Sequence, residues 1–191
     1  MNHNTSPPSD WVKRWCRAIE VGGRVLDLAC GSGRHARLLL ECGYSVQAVD
    51  LDISKLVDLN GRANFELLQA DLENAQWPFD NNCFDAIVVT NYLHRPLFAH
   101  LIASLKPGGV LIYETFALGH GQFGRPSNPN FLLRPGELLV AVEGSLRVIA
   151  YEDVYVENPK PALLQRICAV RNGGARAIFP WLVIRVNSRF I

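Results

Sequence analysis

The stretch VLDLACGSGRHA, Val25 to Ala36, constrains the fold more than any other part of the chain: an apolar strand carrying one carboxylate runs straight into a Gly-x-Gly turn and then a helix. Glycine at 31 and 33 permits positive φ and lets a ligand approach the backbone with no Cβ in the way, while the free N–H groups of the next helix face the same spot. Such a junction belongs at the carboxyl edge of an open, mostly parallel sheet and forms a cradle for a nucleoside cofactor.

Gly31, Gly33 and Ala36 also satisfy the dinucleotide pattern G-x-G-x-x-G/A, so the glycines alone leave the cofactor open. Asp27 separates the choices. In a dinucleotide site the turn receives a pyrophosphate, and this acid would set negative charge beside the phosphates. It suits instead the sulfonium and α-amino groups of S-adenosylmethionine. Without a ligand, Asp27 would simply cap the turn or the helix. VQAVD then ends in Asp50, about 20 residues after the glycine turn, where either cofactor would place a ribose-binding acid. Asp52 and Ser54 read as caps of a helix beginning near Lys55. Asp71, in LQADLE, is either an acceptor for an adenine amino group or an ordinary loop acid.

The series VLDLACGSG, VQAVD, QADLE, FDAIVVTNYLH and LKPGGVLIYETF resembles the ordered motifs of class I S-adenosylmethionine-dependent methyltransferases. The resemblance covers Arg24 to Phe116 and continues to Val170. It implies a Rossmann-like α/β fold: a mostly parallel seven-stranded sheet with helices on both faces and a C-terminal antiparallel hairpin. It also implies S-adenosyl-L-methionine as the cofactor. On this resemblance, methionine contacts fall at Asp27, Gly31 and Gly33 with the adjoining Ala29. Ribose falls at Asp50 beside Leu51, adenine near Asp71 and Leu72, and a cofactor-facing strand end at Asn91.

The chain of 191 residues, 49% hydrophobic, suits one core, so residues 1–191 are read as a single domain. Within it, 1–23 form a helical extension, 24–170 the core and 171–191 an extra tail. The polar start MNHNTSPPSD lacks a signal-peptide pattern and no apolar run is long enough to span a bilayer, which points to the cytoplasm. Five scattered cysteines without a C-x-x-C pair indicate neither a disulfide framework nor a zinc site, and no metal is expected.

Strands are expected at Arg24–Ala29, Ser45–Asp50, Phe65–Ala70, Ala86–Thr90 and Val110–Thr115, with Ala86–Thr90 buried on both faces. Pro96 starts a helix that Lys106, Pro107 and Gly108 end. Leu146–Val156 and Ala162–Val170 read as an antiparallel hairpin at the sheet edge. Before the first strand, Trp11, Val12, Trp15, Ala18 and Ile19 repeat at helical spacing, either packing on the sheet or forming a lid.

For the chemistry, TNYLHRP offers Tyr92 and His94, and the fifth strand offers Glu114. His94 is the leading candidate base, since an unperturbed imidazole titrates near 6.5, although a histidine here also serves as a cap. The loop lacks the Asn-Pro-Pro-aromatic signature of enzymes methylating exocyclic base nitrogens. The long Ala117–Leu138 segment supplies Phe123, Arg125, Asn128 and Phe131 as candidate acceptor contacts, with Arg125 reading an anionic group. It is otherwise a rigid surface loop.

Lys160, Arg166, Arg171, Arg176, Arg185 and Arg189 follow the last acid, Glu157, giving a basic C-terminal tract on a chain of net charge +1. The sequence therefore favours methyl transfer to a small molecule, with RNA or protein methylation as a second reading through that tract. A NAD(P)-dependent oxidoreductase or a non-catalytic nucleotide-binding module is a third. The tail AIFPWLVIRV would form an edge strand, dock on a second subunit or cover apolar surface. The oligomeric state is left open.

Overall fold

The computed structural model describes residues 6–173; the tail expectations for 174–191, with Arg176, Arg185 and Arg189, lie outside them. Five parallel strands, β1 (Arg24–Leu28), β2 (Ser45–Asp50), β3 (Phe65–Gln69), β4 (Phe84–Thr90) and β5 (Leu105–Phe116), join an antiparallel pair, β6 (Leu146–Val156) and β7 (Ala162–Arg171). The sheet order is β3-β2-β1-β4-β5-β7-β6, which puts β4 at the centre. Its burial on both faces follows from a run of β-branched and small apolar residues.

Alternation along the strands divides the core in two. Val25, Val46, Ala86, Val88, Ile112 and Cys168 face α1 (Asp10–Trp15) and α2 (Arg34–Glu41). Leu26, Leu28, Ile87, Val89, Leu111 and Ile167 face α3 (Leu97–Ser104) and α4 (Glu137–Val142). The N-terminal helix packs: Ser9 caps it with its hydroxyl, Trp11 and Trp15 are buried edge to face, and the Trp11 indole donates to the Ile167 carbonyl. At roughly 25 cal/mol per Å², rings burying about 150–250 Å² each dock this short helix far more strongly than its own propensity does.

Two expectations change. The helix near Lys55 is a 3₁₀ stretch over Ser54–Leu59, and the Asp52 carboxylate takes the Ser54 N–H as expected of a cap. The fifth strand begins at Leu105 instead of Val110 and α3 stops at Ser104, because Phe84 pairs with Leu105 before pairing resumes at Ala86 with Val110. The intervening residues bulge out between these contacts. Gly109 fits there because a Cβ would lie 2.8 Å from the Lys106 carbonyl oxygen.

Candidate active site

After β1 the backbone enters the left-handed region three times in five residues, at Ala29 (φ 52°), Gly31 (φ 56°) and Gly33 (φ 74°). The two glycines serve different ends. A Cβ on Gly33 would sit 2.5 Å from Leu56 Cδ2, so this glycine is needed for packing at the start of α2. A Cβ on Gly31 would meet nothing within 4 Å, which leaves open space above the turn.

Asp27 lies beneath that turn, on the α1/α2 face and only 1% exposed; its Oδ2 is buried without a hydrogen-bond partner. Burial pushes its carboxyl from 3.8 up to about 7, a rise that the Ala36 N–H and the Arg34 guanidinium only partly offset. An orphaned buried carboxylate is costly and is relieved by a cationic ligand. The residues present therefore fit the ammonium and sulfonium of S-adenosylmethionine, and do not fit a pyrophosphate.

Asp50 takes the Gly31 N–H at 2.7 Å on Oδ2 and the Asp52 N–H at 3.1 Å on Oδ1, tying the β2 end to the glycine turn. Each oxygen retains a lone pair for a diol. Beside it Leu51 is 64% exposed, an apolar surface next to the ribose position, and Leu72, which the resemblance gives to adenine, is half-buried. Asp71 Oδ1 accepts from the Glu73 and Asn74 N–H groups and Oδ2 from the Asn74 amide, so much of its capacity is spent within its own loop.

One step toward the carboxyl ends, Thr90, Glu114 and Arg166 are lateral neighbours on the sheet. The Ser9 N–H donates to His35 Nε2 at 3.1 Å; the neutral ring then carries its proton on Nδ1 and donates to Thr90 Oγ1 at 3.2 Å. Burial, with Arg34 nearby, lowers the His35 titration to about 3 and keeps the ring neutral. Arg34 donates to the Pro7 carbonyl, so both residues opening α2 hold the N-terminal segment across this face.

Glu114 is drawn away from the role of base. It pairs with Arg166 at 3.3 Å, and that guanidinium also binds Glu152 at 2.5 Å and covers the Trp11 ring. The strand runs on to Phe116, placing Thr115 and Phe116 at the site instead.

A cavity of about 260 Å³ lies at the ends of β4 and β5, lined by Glu73, Asn91, Tyr92, Leu93, Thr115, Phe116, Pro126 and Phe131. Asn91 is in the left-handed region at φ 55°. The buried Tyr92 hydroxyl faces Glu73 but makes no hydrogen bond of good geometry, and burial with neighbouring carboxylates raises its titration. His94 does not line the cavity; its Nδ1 stands 3.9 Å from Glu73 Oε2.

Of the four loop residues, only Phe131 reaches the cavity. Phe123 packs on Tyr155 with ring centroids 5.4 Å apart, Asn128 caps Asn130, and exposed Arg125 presents its carbonyl to His120 Nε2. The loop is pinned by Arg95, which binds Glu137 in a fork and the carbonyls of Asn130 and Leu132.

A sheet of this order with a buried acid under its glycine turn defines a Rossmann-like class I methyltransferase fold. Solved structures agree: TehB from Haemophilus influenzae superposes with a TM-score of 0.73 at 20% identity, covering 90% of this chain and 64% of that one. A SAM-dependent methyltransferase from Aquifex aeolicus gives 0.64 at 21% identity, covering 85% and 89%. Residues 25–109 match the family model described as a methyltransferase domain. A demethylmenaquinone methyltransferase from Paenarthrobacter aurescens is 30% identical over 118 residues, 56% of this chain and 46% of the relative. The chain spans about half the length of the curated relatives it matches. Its fold is that of the class I S-adenosylmethionine-dependent methyltransferases, and the matched segment is similar to them in sequence as well.

Proposed function

We propose that this chain transfers a methyl group from S-adenosylmethionine to a small-molecule acceptor seated in the cavity between the Asn91–Leu93 turn and the loop carrying Pro126 and Phe131. One observation carries the reading: the Asp27 carboxylate, buried and short of a partner, beneath a turn open at Gly31. In this reading Asp27, Ala29, Gly31 and Gly33 hold the methionine moiety and Asp50 the ribose. Leu51, Leu72 and the loop of Asp71 flank the adenine, and Asn91 turns the β4 end toward both ligands. When bound, S-adenosylmethionine supplies a methyl carbon made electrophilic by positively charged sulfur. The chain itself places the acceptor in line with that carbon and keeps water out.

A small acceptor suits a cavity of this size and agrees with the name of the Paenarthrobacter relative. Methylation of RNA through the basic tract loses support among the described residues. Arg166 is committed to Glu114 and Glu152, and Arg171 to Asn82 and the Ala103 carbonyl. No helix among the described residues is long and apolar enough to cross a membrane, and all five cysteines are free. We place the protein in the cytoplasm, where thiols stay reduced, and treat 24–170 as the catalytic core of a single domain.

Titration calorimetry with S-adenosylmethionine, S-adenosylhomocysteine and NAD tests the donor site. Micromolar binding of the sulfur nucleosides is expected; binding of NAD with silence for both of them overturns the assignment. Labelled methyl donor offered to small-molecule pools, with and without RNA, then identifies the acceptor.

A further inference from the structure

We propose, resting on the methyl-transfer reading, that the cavity selects an uncharged or cationic acceptor bearing an N–H or O–H group and rejects anions, with Glu73 receiving that group's proton. Leu93, Phe116, Pro126 and Phe131 make the walls apolar, and Glu73 is the only carboxylate among the lining residues. Among the described residues no lysine or arginine lines the cavity: Arg95 is spent on the loop and Arg125 is exposed away from it. An anionic acceptor would face Glu73 with no counter-ion among the lining residues, against walls of low polarity. This reverses the sequence-based expectation that Arg125 reads an anionic group.

The Tyr92 hydroxyl, buried near Glu73 without a well-formed bond, offers a second polar contact to the same group of the acceptor. At about 260 Å³ the cavity is below the roughly 300–1,000 Å³ typical of drug-sized ligands, so it encloses one ring or a short chain. A cationic amine first gives one N–H proton to the Glu73 carboxylate, which frees the nitrogen lone pair. That lone pair, or that of a neutral N–H or O–H group losing its proton to Glu73 in the same step, forms the bond to the methyl carbon as the carbon–sulfur pair stays on sulfur. His94, 3.9 Å from that carboxylate and with a quarter of its side chain exposed, relays the proton to water. Glu73 is thus the catalytic base and His94 a positioning and relay residue.

The test uses the full chain saturated with S-adenosylhomocysteine, titrated with benzylamine, benzyl alcohol and benzoate by saturation-transfer NMR. The first two are expected to bind at least about tenfold more tightly than benzoate. Glu73→Gln is expected to bring all three within about threefold of each other while leaving S-adenosylhomocysteine affinity unchanged. Once an acceptor is turned over, the same substitution should lower kcat by about a hundredfold or more. Benzoate binding as well as the amine, or discrimination that survives Glu73→Gln, overturns the proposal. So does S-adenosylhomocysteine binding with no probe bound, which leaves the donor site standing. Absence of S-adenosylhomocysteine binding removes the methyl-transfer reading and this proposal with it.

Discussion

Replacing Asp27 with asparagine should make the ligand-free protein more stable and the donor site much weaker. The wild-type carboxyl titrates at about 7 in the fold against 3.8 in an unfolded chain, because it is buried with one oxygen unpartnered. A group raised in this way favours folding fully only below its unfolded value, and that contribution is lost as pH rises through 7. At 1.36 kcal/mol per unit, the ionised carboxylate costs the empty protein on the order of 4 kcal/mol at pH 8 and roughly 1 to 2 kcal/mol at pH 5. The asparagine side chain carries no such charge, so the stability difference between variant and wild type should grow by roughly 3 kcal/mol from pH 5 to pH 8. Urea melts at the two pH values measure it directly. A cationic ligand reverses the balance, since its binding requires the ionised form. Wild-type affinity for S-adenosylmethionine should fall more than about tenfold between pH 7.5 and 5.5, with close to one proton released per site at the lower pH. That release is read from calorimetry in buffers of different ionisation enthalpy. The Asp27→Asn variant should bind roughly 30-fold or more weakly with neither dependence. Proton release that is unchanged in the variant, or a stability difference that does not vary with pH, would refute the assignment of Asp27 as the anionic partner of the donor.

Gly31→Ala and Gly33→Ala should separate function from packing. The first costs about 1 kcal/mol of stability for positive φ but impairs donor binding, whereas the second, meeting Leu56, loses roughly 2–4 kcal/mol in thermal melts. Arg95→Ala should free the loop that closes the acceptor cavity, raising KM for the acceptor several-fold and opening residues 117–136 to limited proteolysis, with donor affinity unchanged. His35→Gln should flatten the acid limb of the stability profile. The wild-type ring titrates at about 3 in the fold and 6.5 unfolded, so its contribution is present above 6.5 and is lost as pH falls toward 3.

The strands and the glycine turn were readable because each rests on local rules. The period-2 pattern gave β2 as Ser45–Asp50 and the hairpin strands to within one residue, and positive φ at 31 and 33 needs glycine. The start of β5 was not readable, since Lys-Pro-Gly-Gly is ordinarily turn chemistry and only the distant pairing of Phe84 with Leu105 extends the strand. Glu114, read as a candidate base on the fifth strand, is engaged by a residue that local sequence does not reveal. Its partner Arg166 stands 52 residues away and meets it only through the antiparallel register of β5 with β7. Glu73 was passed over because an exposed acid in a polar loop carries no periodic signal; what marks it is the cavity formed by the β4 and β5 ends together with the loop after β5. His35 was visible as a letter of the glycine motif, but its bonds to Ser9 and Thr90 span 26 and 55 residues.

Asp27 and His35 are two buried titratable groups on the α1/α2 face, and they act on stability in opposite senses. As pH falls from 7 toward 4 the aspartate relieves its desolvation by taking a proton, while the histidine withholds one that the unfolded chain accepts below 6.5. Their contributions oppose each other between pH 8 and pH 5, so each single variant should shift the slope of the wild-type stability profile in the opposite direction to the other. The arrangement also follows from what the site must hold. A carboxylate prepared for a cation has to stay dry and short of partners until the ligand arrives. Giving both of its nitrogens to Ser9 and Thr90 accords with His35 staying neutral, while the charges that act on Asp27 are those of Arg34 and Asp50. The N-terminal helix, docked through Trp11, is thereby joined at its Ser9 cap to the first turn of α2 as well as to the core.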